Sequence, residues 1–109
     1  MKFISLTIHN LFMPYICYIL FSKTLDHYYI GYTSNIEERL IQHNNGQFGG
    51  KAYTCKTSDW ELFLLIPCGT INQAIFIELK IKKMKSRKFI EDLKKHPELV
   101  EKLLNEFKN

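Results

Sequence analysis

YICYILF, residues 15–21, is apolar at nearly every position and rich in aromatic and β-branched side chains. That composition predicts a strand covered on both faces and central in its sheet. Residues 22–27 supply turn residues, and YYIGYT, residues 28–33, reads as the return strand of an antiparallel hairpin. Side chains alternate across a strand, so Ile16, Tyr18 and Leu20 share one face of the first strand, and Tyr29 and Gly31 share one face of the second. Whether the two tyrosines meet depends on register, which the pattern leaves open. Gly31 weakens a strand interior unless another group must come close to the backbone there.

Outward from the hairpin, Ser34 or Asn35 can cap a helix running to about His43, with Glu37 and Glu38 favourably placed in its first turn. Asn44, Asn45 and Gly46 end it, and residues 47–58 form a polar, glycine-containing loop. WELFLLIP, residues 60–67, reads as a third strand closed by Pro67. Thr70 and Gln73 match a capping box for a helix reaching about Met84. Ala74, Ile77, Ile81 and Met84 lie on its apolar face, which Ile75 and Leu79 broaden. Residues 86–95 and 97–107 predict two further short helices, with Pro97 at an N-terminal position. The expected class is α+β: a small three-stranded antiparallel sheet flanked by helices, in the order β-β-α-β-α-α-α.

A chain of 109 residues supports one domain whose core needs neither disulfides nor structural metals. We assign that domain to residues 13–109 and treat residues 1–12 as a dispensable N-terminal extension. The extension begins with Lys2 before an apolar stretch, but His9 and Asn10 interrupt it and no small-residue cleavage site follows, which argues against export. No apolar run approaches the roughly 20 residues that cross a bilayer, so no membrane partner is expected. Cys17, Cys55 and Cys68 are odd in number and far apart, which suits reduced thiols in the cytoplasm.

The net charge is +4, and its distribution is uneven. Lys80, Lys82, Lys83, Lys85, Arg87 and Lys88 lie in a nine-residue run without an acid, whereas residues 89–109 hold four lysines against five acids. Such a patch is the footprint of a polyanion binder; a lysine-rich helix end complementing its dipole has the same composition.

Arg39 lies eight residues past Gly31, and His43 follows on the same helix face. Arg39 has the fork geometry to clamp a phosphate, and His43 can hydrogen-bond a substrate or assist proton transfer. An ion pair with a nearby acid and an ordinary helix-end histidine are the competing readings. Glu78 is the single acid from residue 70 to 88. One carboxylate is enough to hold a hydrated Mg²⁺, and an i, i+4 pair with Lys82 occupies the same group. The tyrosines have a competing role too, because most strand tyrosines serve packing.

Taken together, Ile16-Cys17-Tyr18, Tyr29-Ile30-Gly31, Arg39, Gln42-His43-Asn44 and Glu78 resemble the GIY-YIG nuclease superfamily from residue 15 to about 93. The string ELKIKKMKSRK, residues 78–88, is similar to small stand-alone bacterial members related to the excinuclease nuclease domain. The second triplet is intact, whereas the first keeps its tyrosine alone. The resemblance implies a metal-dependent endonuclease acting on DNA in repair or processing, with RNA not excluded as substrate. Tyr29 would activate water, Tyr18 and His43 would stand in its proton network, Arg39 would bind the scissile phosphate, and Glu78 would hold Mg²⁺ or Mn²⁺. Without a second domain to read sequence, cleavage would be structure-directed or weakly specific, or targeted by a partner protein. A non-catalytic nucleic-acid-binding module on the same fold is the alternative. A protein-interaction role through Leu99, Leu103 and Leu104 ranks below packing of those residues onto their own domain.

Overall fold

The computed structural model describes residues 13–46 and 56–108. The N-terminal extension, Cys55 and most of the glycine-containing loop lie outside the described residues. The elements follow as β1 (Tyr15–Ser22), β2 (His27–Thr33), α1 (Ile36–Asn44), β3 (Glu61–Cys68), α2 (Ile71–Met84), α3 (Arg87–Lys95) and α4 (Pro97–Glu106). The fold is α+β in the expected order. The sheet runs β2-β1-β3, with β1 antiparallel to both neighbours. The apolar strand is therefore the central one, and Ile16 through Leu20 are all buried.

The pleat of β1 divides the interior in two. Cys17 and Ile19 join Ile30, Ile66 and Cys68 in a core roofed by Ala74, Ile77 and Ile81 of α2, with α3 and α4 adding Ile90, Leu93 and Leu103. On the opposite face Ile16, Tyr18 and Leu20 pack with Ile36 of α1 and with Trp60. Each fully buried Ile or Leu contributes about 1.5–3 kcal/mol of apolar transfer. Leu99, Val100 and Leu104 pack against the first core, so the tail covers its own domain. Cys17 and Cys68 are free and buried, and burial pushes both thiols up in pKa.

The apolar face of α2 is narrower than its sequence suggests: Leu79 is 57 % and Met84 53 % exposed. Leu79 stands five residues past Ala74, about 140° round a helix of 3.6 residues per turn, on the side away from the sheet. Met84 is the last residue of α2, beside a left-handed Lys85.

The caps form largely as expected. Asn35 accepts from the Glu38 N–H, Thr70 from that of Gln73, and Ser86 from that of Phe89. The box at α2 closes one residue further out, because the Gln73 side chain takes the N–H of Gly69 at 2.8 Å. Two polar clasps then converge on the entry of β3. The Asn44 amide accepts from Trp60 N at 2.8 Å and donates to Trp60 O at 3.0 Å, tying the end of α1 to the entry of β3. Asp59 accepts from Ser22 Oγ at 2.6 Å, Thr57 Oγ1 at 2.7 Å and Thr24 Oγ1 at 2.9 Å, pinning the hairpin turn to the same entry. Among the described residues no helix is long and apolar enough to cross a membrane.

Candidate active site

The hairpin register answers the question the sequence left open. Tyr18 pairs with Gly31 and Leu20 with Tyr29, so the two tyrosines are diagonal neighbours on one face. Their ring centroids are 6.4 Å apart. A Cβ on Gly31 would stand 2.6 Å from Tyr18 Oη and 2.8 Å from its Cζ. The close approach that makes glycine necessary is thus the Tyr18 ring lying across β2.

From this position the Tyr18 hydroxyl reaches His43 Nε2 at 2.8 Å, both residues being buried. Burial, then the neighbouring Arg39, lowers the His43 pKa from 6.5 to about 4. The imidazole is therefore neutral near pH 7. Burial, then the Tyr29 phenol, raises the Tyr18 pKa against the opposing pull of Arg39, so the phenol keeps its proton. With Tyr18 protonated and His43 neutral, either group has a proton to give in this bond, and its direction follows the imidazole tautomer. The His43 ring also stands 4.9 Å from that of Tyr29, and Trp60 flanks Tyr29 at 6.3 Å.

Tyr18, Tyr29, Gly31, Tyr32, Arg39 and Glu78 line one cleft of about 280 Å³. Tyr18 and Tyr29 belong to the α1 side of the sheet, whereas Tyr32 and α2, which carries Glu78, belong to the other. The cleft therefore gathers groups from both layers. The Glu78 side chain is 13 % exposed and its Oε2 meets Lys82 Nζ at 3.2 Å, so the i, i+4 pair and the cleft position are both real. His43 does not line the cleft; it lies behind Tyr18, covered. Tyr32 was missed in the sequence, where strand alternation separates it from Tyr29.

Several cations of the basic run are held in ion pairs. Lys80 pairs with Glu106 at 3.3 Å, Arg87 with Asp26 at 2.7 Å, and Lys88 with Asp92 at 3.0 Å. Lys83 and Lys85 carry no ion pair among the described residues.

Residues 14–91 match the family model of the GIY-YIG catalytic domain. The chain belongs to the GIY-YIG nuclease family. It is also similar to a UPF0213 protein of Syntrophus aciditrophicus (strain SB), with 37 % identity over 76 residues, covering 70 % of this chain and 83 % of that protein. No solved structure matches the chain. Within this GIY-YIG domain the second triplet supplies Tyr29 and the glycine beneath Tyr18. The first triplet survives as Tyr18, and Ile16 and Cys17 in its other places are ordinary core residues on opposite faces.

Nuclease chemistry of this family suggests a divalent metal, and the residues present limit its kind. Among the described residues no group of three or more His, Cys, Asp or Glu side chains converges as a metal cage. Among the described residues Glu78 is the one carboxylate lining the cleft. A single hard oxygen ligand suits Mg²⁺ or Mn²⁺, which keep most of their waters and take further ligands from substrate phosphate; it does not suit a closed zinc site.

Proposed function

We propose that this chain is a metal-dependent endonuclease that hydrolyses DNA phosphodiester bonds in the cleft between Tyr29, Arg39 and Glu78. The observation that carries this reading is the cleft itself, where a phenol, a guanidinium and a carboxylate from three separate elements line one opening. We take residues 13–109 as the catalytic domain.

Hydrolysis needs a water oxygen to attack phosphorus, a base to take its proton, and relief for the charge that grows on phosphate and leaving oxygen. Arg39, which lines the cleft with Tyr18, would bind the scissile phosphate through two parallel N–H donors. Glu78 would hold Mg²⁺ or Mn²⁺, which when bound supplies Lewis acidity to the phosphate and its leaving oxygen. Tyr29, as its phenolate, is the candidate to take the proton from water and become the neutral phenol. The Tyr18 hydroxyl is hydrogen-bonded to His43 Nε2 at 2.8 Å. We therefore assign Tyr18 and His43 to holding the proton network around Tyr29, rather than to being the first base.

The test is cleavage of nicked, branched and single-stranded DNA with Mg²⁺ or Mn²⁺, comparing wild type with Tyr29→Phe. Loss of cleavage in Tyr29→Phe with the fold intact supports the assignment. Equal cleavage by both removes Tyr29 from the chemistry and moves the role of base elsewhere.

A further inference from the structure

A second opening, of about 470 Å³, lies on the other side of β2 at the junction of α2 and α3. Ile30, Ile81 and Ile90 are among the residues lining it, and Lys82, Lys85 and Arg87 supply its charge. Asp26 is its one acid among the described residues, and that carboxylate is already held by Arg87 at 2.7 Å. Lys82 stands at the boundary, since it lines this groove while its ammonium meets Glu78 of the cleft at 3.2 Å. On β2, Tyr28 and Ile30 face the groove and Tyr29 and Gly31 the cleft, so the two openings are neighbours across one strand.

Lys85 is the anomaly within it. It ends α2 at φ 48 and ψ 42, the left-handed conformation that a helix C-terminus ordinarily gives to glycine or asparagine. A side chain with a Cβ is strained there. Lys85 is also exposed and has no ion pair among the described residues; its backbone N–H meets Lys82 O at 3.2 Å, a cap that a glycine would make without the strain. Strain kept at an unpartnered cation lining a groove is a mark of function.

We infer that this groove is a second phosphate subsite, in which Lys85, with Lys82 and Arg87 beside it, holds the sugar–phosphate backbone of a nucleic-acid strand running on from the cleft. The inference rests on the nuclease reading, and it makes a demand that a merely solvated helix end does not. Replacing Lys85 must weaken nucleic-acid binding while stabilising the protein.

The experiment uses the full chain in EDTA, so that no cleavage intervenes, and a fluorescein-labelled single-stranded DNA oligonucleotide read by anisotropy across a salt series. Lys85→Gly is expected to bind several-fold more weakly, to lower the slope of log affinity against log salt by about 0.7, the loss of one single-strand phosphate contact, and to raise the urea midpoint. Lys85→Asn, whose residue also tolerates the left-handed conformation, is expected to do the same and covers the case of a glycine variant that folds poorly. Lys102→Gln, an equal loss of charge on α4, is expected to leave the slope at its wild-type value. Wild-type affinity and slope in both Lys85 variants overturn the subsite, as does an equal loss in Lys102→Gln. If wild type cleaves DNA with metal yet the Lys85 variants bind unchanged, only the subsite falls. If wild type neither binds nor cleaves, the nuclease reading falls with it.

Discussion

Gly31→Ala is the substitution whose cost can be worked most directly from the geometry. The added Cβ would lie 2.6 Å from Tyr18 Oη, 2.8 Å from Cζ and 3.2 Å from Cε2. Tyr18 is 1 % exposed and its hydroxyl is fixed to His43 at 2.8 Å, so the ring cannot retreat without breaking that bond. Overpacking a fixed site costs about 1–3 kcal/mol. Leaving a buried hydroxyl and imidazole unpaired adds about 1–3 kcal/mol. Removing glycine from a strand interior returns roughly 0.5–1 kcal/mol. The net is a loss of about 1–5 kcal/mol, or a fall of about 0.5–2.5 M in the urea midpoint for an m-value near 2 kcal/mol/M. Tyr18→Phe removes the closest of the three contacts. The same glycine change should therefore cost at least about 1 kcal/mol less in that background, a coupling within the range for touching residues. Urea melts of wild type, both single variants and the double variant give the whole cycle. A Gly31→Ala midpoint within about 0.25 M of wild type, or additivity across the cycle, would refute the claim that Tyr18 is what forbids a side chain at this position.

Two other perturbations follow from the same cleft. The pKa of His43 falls from 6.5 to about 4 on folding, so between those values the unfolded chain binds the extra proton. Stability present above pH 6.5 is therefore lost as the pH falls through about 4, and urea midpoints measured at several pH values should decline over that window more steeply in wild type than in His43→Gln. Arg39→Lys keeps the charge but loses the fork. Single-turnover cleavage should fall by roughly 10²-fold, with DNA binding in EDTA little changed; a rate near that of wild type would mean that Arg39 does not clamp phosphate in the transition state.

How far the sequence could be read depended on whether the deciding partner was local. The apolar run at residues 15–21 announced the central strand because burial on both faces suppresses alternation, and the three side-chain caps lie within three residues of the N–H groups they satisfy. Gly31 signalled a close approach without saying whose; Tyr18 became the answer only once the turn set the register. The apolar face of α2 was drawn too wide, because Leu79 was included for its apolar side chain although it stands about 140° round the helix from Ala74. The ion-pair partners of the basic run were hidden by the same distance. Asp26 and Glu106 engage Arg87 and Lys80 from 61 and 26 residues away, and no window along the chain contains both partners. Tyr32 enters the cleft from the opposite face of β2, a crossing that strand alternation alone argues against.

The central claim is that Glu78 serves chemistry and not folding. Its observed partner is Lys82 at 3.2 Å, an i, i+4 pair worth about 0.2–0.5 kcal/mol, so Glu78→Gln should leave the urea midpoint almost unmoved. The decisive measurement is cleavage of nicked, branched and single-stranded DNA by wild type and Glu78→Gln in Mg²⁺ or Mn²⁺, with binding to the same DNA checked in EDTA. Metal-dependent cleavage by wild type that disappears in a folded, DNA-binding Glu78→Gln variant is the predicted result. Wild type cleaving no DNA better than Glu78→Gln would contradict it and leave a nucleic-acid-binding module on a nuclease fold.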